Sequence, residues 1–456
     1  MTFRLSLRAV MLAAFAWLLV SAVASAQTQP APAPTSQVSV APLPPPGAAA
    51  KATPAFDVEK ATNAYLARVS GEARAKSDSY FEGGYVLTLV DALYAIAVSA
   101  LLLWSRFSAG IRNFAQRRTR SRFWQVSIYV AIYFVVVTVL TFPLGVYEGF
   151  FREHAYGLSN QNFVQWFGDF LKGQGIGLIV MVIAGTVIYA VIRATPRYWW
   201  AWGTVVMILF LMIGAVIQPV FIAPVFNNYK PLAESPLKDK ILSIARSEGI
   251  PATNVYEFDA SRQTKRISAN VSGFLGTTRI SLNDNLLNRS KDQREIIAVL
   301  GHEMGHYVLD HIVRLLMMMG LVFFVGFAFV AWGFRVLSLI FGGNWDVRTI
   351  DDPAGLPVLV ALMTFFFLVA TPVENTIVRT TEAQADLFGV NAVREPDAFA
   401  EATLQLSEYR KLDPSPLEEV FFYDHPSGRS RIHMMMQWKA EHLNDPDIKA
   451  GPVSPQ

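Results

Sequence analysis

The sequence EIIAVLGHEMGHYVLDH occupies residues 295–311 and contains the spacing H-E-x-x-H at positions 302–306. On a helix, residues four apart lie on one face, so His302 and His306 can direct two imidazoles at one metal ion. Glu303 falls beside that ion rather than on it, where it can take a proton from a water that the metal activates. The stretch therefore predicts two metal ligands and a general base on a single helix.

Two local signals predict that helix. Ser290 followed three residues later by Gln293 has the form of a capping box, and the apolar run 296–300 comes next. The alternative is a pair of surface histidines on an amphipathic helix. A third ligand decides between them, because zinc hydrolases use three protein ligands and leave the fourth position to water.

The third ligand is best sought in residues 380–386, TTEAQAD. Glu382 and Asp386 are four apart on a predicted helix. If Glu382 binds the metal, Asp386 lies one turn further on, where it can accept the free ring N–H of a ligating histidine. The alternative for this pair is two solvated acids on a helix surface. Taken alone the pair would favour that alternative, but together with the H-E-x-x-H spacing it favours a ligand and its hydrogen-bond partner.

The composition places the chain in a membrane. Hydrophobic residues make up 52% and charged residues 16% of 456, which is too apolar for an ordinary soluble protein. The net charge of +3 gives no reason to expect nucleic acid as a partner. Because the chain has no cysteine, a zinc site has to be built from histidine and carboxylate.

The apolar residues are concentrated in long segments, most of which reach the ~20 residues needed to cross a bilayer. Six such segments occur, at 85–104, 124–146, 176–192, 199–226, 315–341 and 356–378. The fold class predicted is therefore mainly α, a multi-pass helical membrane protein with a small α+β zinc metalloprotease domain inserted between membrane helices. Four spans fall in 81–226 and two in 313–378, and the metalloprotease segment is 227–312.

The chain begins with the three regions of a secretory signal. Residues 1–26 contain Arg4 and Arg8, an apolar core and the small-residue end Ala24-Ser25-Ala26. We interpret them as a cleaved signal peptide, with an uncleaved signal anchor as the alternative. Residues 27–80 are predicted to be a spacer, rich in Ala and Pro, and a pre-membrane segment.

Two short strands are predicted inside the metalloprotease segment, at 255–258 and 279–282. A strand edge near the metal suits a protease, because an extended peptide can pair with it through main-chain hydrogen bonds. The H-E-x-x-H helix runs into the fifth span. The sixth span runs into the predicted Glu382 helix, which opens a C-terminal catalytic segment at 379–456.

These pieces resemble the type I CAAX prenyl endopeptidase family, integral-membrane zinc metalloproteases of the gluzincin kind. The resemblance extends from about Phe81 onward and rests on 222–226, 261–273, 302–306, 382–386 and His425-Pro426 with Arg431. It implies that Glu382 is the third zinc ligand and that His425 and Arg431 lie at the active site. It also implies a peptide or protein substrate with a lipidated, prenylated C-terminal motif.

The chain departs from the family pattern in the segment expected to line the substrate cleft. Family members commonly have Asn-Ala there, and the matching pair is Ser268-Ala269, with Asn270 two residues after the serine. Either Ser268 replaces the amide that grips the substrate backbone, or the register shifts to Asn270.

The function predicted is a membrane-embedded zinc metalloendopeptidase with one Zn²⁺ per chain. Glu303 accepts the proton of water and passes it to the leaving amine, and His425 or Arg431 stabilises the oxyanion. A quality-control protease of membrane or exported proteins, without prenyl specificity, is the nearer alternative. A transporter or scaffold with an inert metal site is the alternative from another class.

The loop between the first two spans indicates the topology. Short loops rich in arginine stay in the cytoplasm, and this one carries Arg106, Arg112, Arg117, Arg118, Arg120 and Arg122. Three spans separate it from the metalloprotease segment. The sequence therefore favours an active site on the exported face of a bacterial inner membrane.

Overall fold

The computed structural model describes residues 56–273 and 278–448. The predicted signal peptide and most of the spacer lie outside these ranges. Residues 57–456 form one compact unit, and all that follows concerns the described part of that unit.

Helices account for most of this unit. In chain order they are α1 Val58–Leu66, α2 Gly71–Trp104, α3 Phe107–Arg118, α4 Arg122–Val146, α5 Phe163–Ala194, α6 Trp199–Ile217, α7 Pro236–Ser247, α8 Asp284–Arg289, α9 Gln293–Val308, α10 His311–Trp345, α11 Leu356–Val393, α12 Pro396–Gln405, α13 Pro416–Phe422 and α14 Gly428–Glu441. Among the described residues, six helical stretches are long and apolar enough to cross a membrane, which confirms the six predicted spans. They contain α2, α4, α5, α6, α10 and α11.

Two spans begin well before their predicted starts, α2 at Gly71 instead of 85 and α5 at Phe163 instead of 176. The first turn of α5 is closed by a capping box between Asn162 and Gln165. The added turns carry polar side chains that hydropathy alone does not assign to a helix. Asp169 accepts a hydrogen bond from Gln263 at 3.0 Å. These polar groups are thus satisfied by partners from elsewhere in the chain.

A four-stranded sheet stands between the fourth and fifth spans. Its strands are β1 Tyr229–Pro231, β2 Val255–Phe258, β3 Ala269–Ser272 and β4 Arg279–Asn283, in the order β1-β2-β4-β3. The predicted strands correspond to β2 and β4, which pair in parallel at the centre. Strand β3 pairs antiparallel with β4 and forms one edge of the sheet.

The core of this domain lies between the sheet and α9. Ile280 and Leu282 of β4 are fully buried and join a cluster with Ile297, Leu300 and Met304 of α9. Burying side chains of this size contributes about 1.5–3 kcal/mol each. The apolar positions of α9 therefore fix the helix against the sheet and leave its histidines on another face.

The predicted capping box of α9 is wrong by two residues. The N-cap is Asp292, whose carboxylate accepts from the backbone N–H of Arg294 at 2.9 Å, and the helix begins at Gln293. Ser290 instead ends α8. Asp caps a helix as well as Ser does, and Asp292 directly precedes the first helical residue.

The two helices that carry the site residues continue membrane spans. Helix α9 ends at Val308 and α10 starts at His311, while Glu382 lies within α11 itself. At 1.5 Å per residue, Glu382 is about 40 Å along the axis from the start of α11, beyond the ~30 Å hydrocarbon core. The sixth span and the predicted Glu382 helix are thus one continuous helix.

Candidate metal centre and active site

The side chains of His302, His306 and Glu382 converge on one point. The two Nε2 atoms of the histidines are 3.1 Å apart. Glu382 Oε2 is 3.1 Å from His302 Nε2, and Glu382 Oε1 is 3.4 Å from His306 Nε2. Tetrahedral zinc with ligands at 2.0–2.1 Å would separate its ligand atoms by about 3.3 Å. The three side chains therefore match one face of a zinc tetrahedron.

Glu382 supplies a second indication that a cation belongs there. Its Oε2 atom is buried and finds no hydrogen bond of acceptable geometry among the described residues. His302 Nε2 and His425 Nε2 lie only 3.1 Å and 3.3 Å from it. A buried carboxylate oxygen without a partner is costly, and a metal ion between the three side chains would compensate it.

Asp386 forms a hydrogen bond with the ring nitrogen of His302 that faces away from the metal point. Its Oδ1 atom lies 2.7 Å from His302 Nδ1, so that ring nitrogen donates to the carboxylate and Nε2 is free to face the metal point. Asp386 is completely buried. Arg431 donates to the same carboxylate through Nε at 2.8 Å and also through Nη2. Two helices, α11 and α14, thus cooperate to orient His302.

Protonation of His302 competes with metal at this point. Burial lowers the pKa of His302, but the carboxylates of Asp386 and Glu382 outweigh that effect and raise it to about 9. A neutral imidazole is required for ligation. A cation that binds here at neutral pH therefore displaces a proton.

His311 is a neighbour of the site to which the sequence pattern gave no role. Its Nδ1 atom lies 3.0 Å from His306 Nδ1, and the residue is almost completely buried. On an uninterrupted helix, a residue five positions after His306 would point to another face. The chain breaks after α9, and Asp310 with φ 51° turns it back. The only signal in the described sequence was that His311 is the third histidine of the opening stretch.

Glu303 faces a cavity beside the three converging side chains. Burial raises the pKa of Glu303 above its usual range, although His302 and His306 oppose the shift. The cavity has a volume of about 170 Å³ and is also lined by His425, Ser268 and Ala269. A carboxyl group with a raised pKa next to an open space is suited to accept and return a proton.

His425 and Arg431 have different surroundings. His425 Nδ1 is 2.8 Å from Asp424 Oδ1 and its Nε2 atom faces Glu382. Arg431 is buried, and its strongest contacts go to Asp386. Both line the cavity. The guanidinium of Arg431 is bonded to Asp386, whereas His425 has one ring nitrogen, Nε2, that is not bonded to its carboxylate partner Asp424.

The loop with His425 is held in place by the last membrane helix. Arg379 of α11 donates to the carbonyl oxygens of Glu419 and Tyr423 at 2.7 Å and 2.6 Å. Asn375, one turn earlier, donates to the carbonyl of Phe421 at 2.7 Å. The helix that supplies Glu382 thus also fixes the segment that supplies His425.

Two of the three residues predicted to contact the substrate, Ser268 and Ala269, line the cavity beside Glu303. Ser268 is exposed, whereas Ala269, at the start of β3, is buried. The side chain of Asn270 accepts a hydrogen bond from Ser272 Oγ at 3.3 Å. Helix α9 packs beside β3, so this edge strand lies next to the helix that carries His302 and His306.

The sequence is similar to two family models that adjoin along the chain. One, described as peptidase family M48, matches residues 231–439. The other, described as the CAAX prenyl protease N-terminal region with five membrane helices, matches residues 58–228. Together they span most of the chain.

Individual relatives are similar over most of their length. An uncharacterized metalloprotease YhfN of Bacillus subtilis is 29% identical over 350 residues, which cover 76% of this chain and 82% of the relative. CAAX prenyl protease 1 of Saccharomyces cerevisiae is 29% identical over 314 residues, covering 65% and 68%. The crystal structure of Ste24p from S. mikatae aligns with a TM-score of 0.67 at 22% identity, covering 83% of this chain and 94% of that one. The last comparison establishes a shared fold.

Proposed function

Because this chain is a membrane-embedded metallopeptidase of family M48, we propose that it is a zinc endopeptidase whose metal is held by His302, His306 and Glu382. The observation that carries the proposal is the convergence of three side chains, whose donor atoms approach one another at 3.1 Å, 3.1 Å and 3.4 Å, with one buried carboxylate oxygen left uncompensated. Two imidazoles and one carboxylate are a donor set that zinc accepts in hydrolases.

When bound, zinc acts as a Lewis acid that polarises the scissile carbonyl and makes water a nucleophile near neutral pH. Glu303 takes the proton of the attacking water and passes it to the leaving amine. Its raised pKa favours this, because a group that both accepts and returns a proton works best with a pKa near the operating pH.

His425 stabilises the oxyanion. Its Nδ1–H donates to Asp424 Oδ1 at 2.8 Å, so Nε2, which faces the reacting centre, donates a hydrogen bond when the ring is in its imidazolium form. A hydrogen-bond donor placed before the reaction stabilises charge that develops in the transition state. Arg431 instead has the role of holding Asp386, and through it His302.

The substrate lies along β3. An extended peptide can add to the exposed edge of the sheet through its main chain, and β3 is an edge strand next to α9. Ser268 is the side chain placed to bind the substrate backbone, because it is exposed to the cavity. The register with Asn270 in that role is less favourable, since its amide oxygen is engaged by Ser272.

The substrate is a peptide or protein, and prenylated C-terminal peptides are its proposed class because relatives are named CAAX prenyl protease 1. The alternative is a quality-control peptidase of membrane or exported proteins that ignores the lipid. Matched peptides with a prenylated and an unmodified cysteine distinguish the two. Equal hydrolysis of both peptides would favour the alternative.

The membrane is proposed to be the bacterial inner membrane, with the active site on the exported face. The arginine-rich loop 105–121 and the catalytic segment occupy opposite ends of an odd number of spans. Arginine-rich short loops are retained in the cytoplasm, which supports an exported catalytic segment.

Zinc content and peptide hydrolysis of the purified protein test the proposal together. We expect about one zinc per chain by mass spectrometry, loss of casein-type proteolysis on chelation, and recovery when Zn²⁺ is returned. A transporter or scaffold with an inert site would retain zinc without hydrolysing any peptide. That outcome would reject the proposed function.

A further inference from the structure

Arg410 lines the same cavity as Glu303 and His425. It follows the short helical turn Leu406–Glu408 and is half-buried. Among the described residues, no hydrogen bond or ion pair is found for its guanidinium group, so its N–H donors are available to a ligand in the cavity.

Other cations around the site have partners. Arg431 is bonded to Asp386 at 2.8 Å. Arg266 is bonded to Glu153 at 2.9 Å. Asp424 is close enough to Arg410 for the guanidinium to lower its pKa, but its carboxylate is already bonded to His425 at 2.8 Å. The positive charge of Arg410 is thus the one that the cavity wall leaves uncompensated in the part of the chain described.

The rest of the cavity is suited to an apolar side chain. Ile267, Phe399 and Leu406 line it. Its volume of about 170 Å³ resembles that of a cavity of about 150 Å³ that binds benzene. Beside these apolar residues the cavity has two arginines, of which Arg431 is paired with Asp386 and Arg410 is not. An apolar wall next to an unpaired guanidinium matches a peptide segment that presents an apolar side chain next to a carboxylate.

We propose that Arg410 binds a carboxylate of the peptide substrate and so selects peptides with a negative charge a few residues from the cleaved bond. The carboxylate is either the free C-terminus or an aspartate or glutamate side chain. This inference rests on the proposed peptidase function. Arg410 acts in it as a specificity-determining residue, and Glu303 and the metal ligands keep their roles.

The test uses three quenched fluorescent peptides with one apolar core sequence. The first ends in a free carboxylate three residues beyond the cleaved bond, the second ends there in a carboxamide, and the third is the carboxamide with an aspartate at that last position. We expect wild-type kcat/KM to be roughly 10- to 100-fold higher for one or both of the charged peptides, mainly through KM, which is the range for a charge-assisted hydrogen bond.

Arg410→Gln should bring the ratio between charged and uncharged peptides close to one, and Arg410→Lys should restore part of it. Arg246→Gln, on the exposed surface of α7, is the matched control and should leave the ratio at its wild-type value. Zinc content of each variant reports whether the site is still folded. If the free-acid peptide alone depends on Arg410, the ligand is the C-terminus. If the aspartate peptide alone does, it is an acidic side chain.

Two results overturn the inference while leaving the peptidase function intact. One is wild-type enzyme that cleaves the three peptides equally well. The other is an Arg410→Gln variant with wild-type zinc and an unchanged ratio. Failure of the wild-type protein to cleave any of these peptides or casein would instead reject the proposed function itself.

Discussion

Asp386 is the residue through which two parts of the site depend on each other. It accepts from His302 and from Arg431, and it is completely buried. Removing one member of a buried ion pair leaves the other charge uncompensated and costs about 3–5 kcal/mol. Losing the carboxylate behind a ligating histidine lowers metal affinity by roughly 10- to 100-fold.

We therefore expect Asp386→Asn to reduce both thermal stability and zinc affinity. The double variant Asp386→Asn with Arg431→Gln should recover much of the stability, because neither charge is then left alone, but not the zinc affinity. Thermal denaturation in detergent and zinc competition with a chelator measure the two effects. Recovery of zinc affinity in the double variant would show that Asp386 does not act through His302.

His311 permits a second prediction at this scale. Because its Nδ1 atom lies 3.0 Å from that of His306, it can accept a hydrogen bond from the Nδ1–H that His306 keeps when its Nε2 faces the metal. His311→Ala should lower zinc affinity roughly 10-fold. His433, a half-buried histidine 3.8 Å from Glu59, is the matched control, and His433→Ala should leave the affinity unchanged. An equal effect from both variants would remove His311 from this role.

At the scale of elements, the site depends on the close approach of α9 and α11. Glycines permit that approach. A Cβ atom on Gly389 would lie 2.7 Å from the backbone nitrogen of His302 and 2.9 Å from the carbonyl carbon of Gly301. Backbone atoms cannot move aside as a flexible side chain can, so the helices would have to separate. Separation would move Glu382 away from both histidines.

Gly389→Ala is thus expected to destabilise the protein by about 1–3 kcal/mol and to reduce its zinc content. Gly343→Ala is the control, because a Cβ at that exposed helical position has no heavy atom within 4 Å. Thermal denaturation and zinc analysis report on both variants. A Gly389→Ala variant that keeps full zinc content would contradict the account of this helix contact.

The elements also show what the sequence alone could predict. Hydropathy was sufficient to predict that all six spans exist. Short apolar runs between turn residues were sufficient to predict β2 and β4. Strand β1 was missed because it has only three residues and ends in Pro231. The early start of α5 was missed because its polar turns are satisfied by distant partners such as Gln263.

The site divides in the same way. H-E-x-x-H spacing and the four-residue interval between Glu382 and Asp386 were sufficient to predict which side chains converge. The contact between His311 and His306 was not predictable, since it depends on the left-handed turn at Asp310. The partner of Arg431 was also out of reach, because a charge near the end of the chain gives no sign that it will meet Asp386.

For the whole molecule, contacts at the two ends of the spans agree with the topology. Arg112 of the basic region is buried and pairs with Asp346 and Asp352 in the connection between α10 and α11, at 2.6 Å and 2.7 Å. At the other end, Ser159, between α4 and α5, forms a bridge with Thr264 of the catalytic segment. The basic loop and the catalytic segment therefore lie at opposite ends of the membrane-spanning helices.

Cysteine labelling tests which side is exported, because the native chain has no cysteine. Ser243 of α7 and Ser121 at the end of the basic loop are both exposed. A membrane-impermeant thiol reagent on intact cells should label Ser243→Cys and not Ser121→Cys, and permeabilised cells should allow labelling of both. Labelling of Ser121→Cys alone in intact cells would place the active site in the cytoplasm.

The central claim is that Glu382 is a metal ligand while Glu303 is a base, and one paired measurement tests it most directly. Zinc content and peptide hydrolysis are measured on purified Glu303→Gln and Glu382→Ala. We expect Glu303→Gln to keep about one zinc per chain, as a site with three intact ligands should, and to lose roughly 10²- to 10⁴-fold in kcat. Glu382→Ala should lose both zinc and hydrolysis. Equal zinc retention in the two variants, or full hydrolysis by Glu303→Gln, would contradict the assignment.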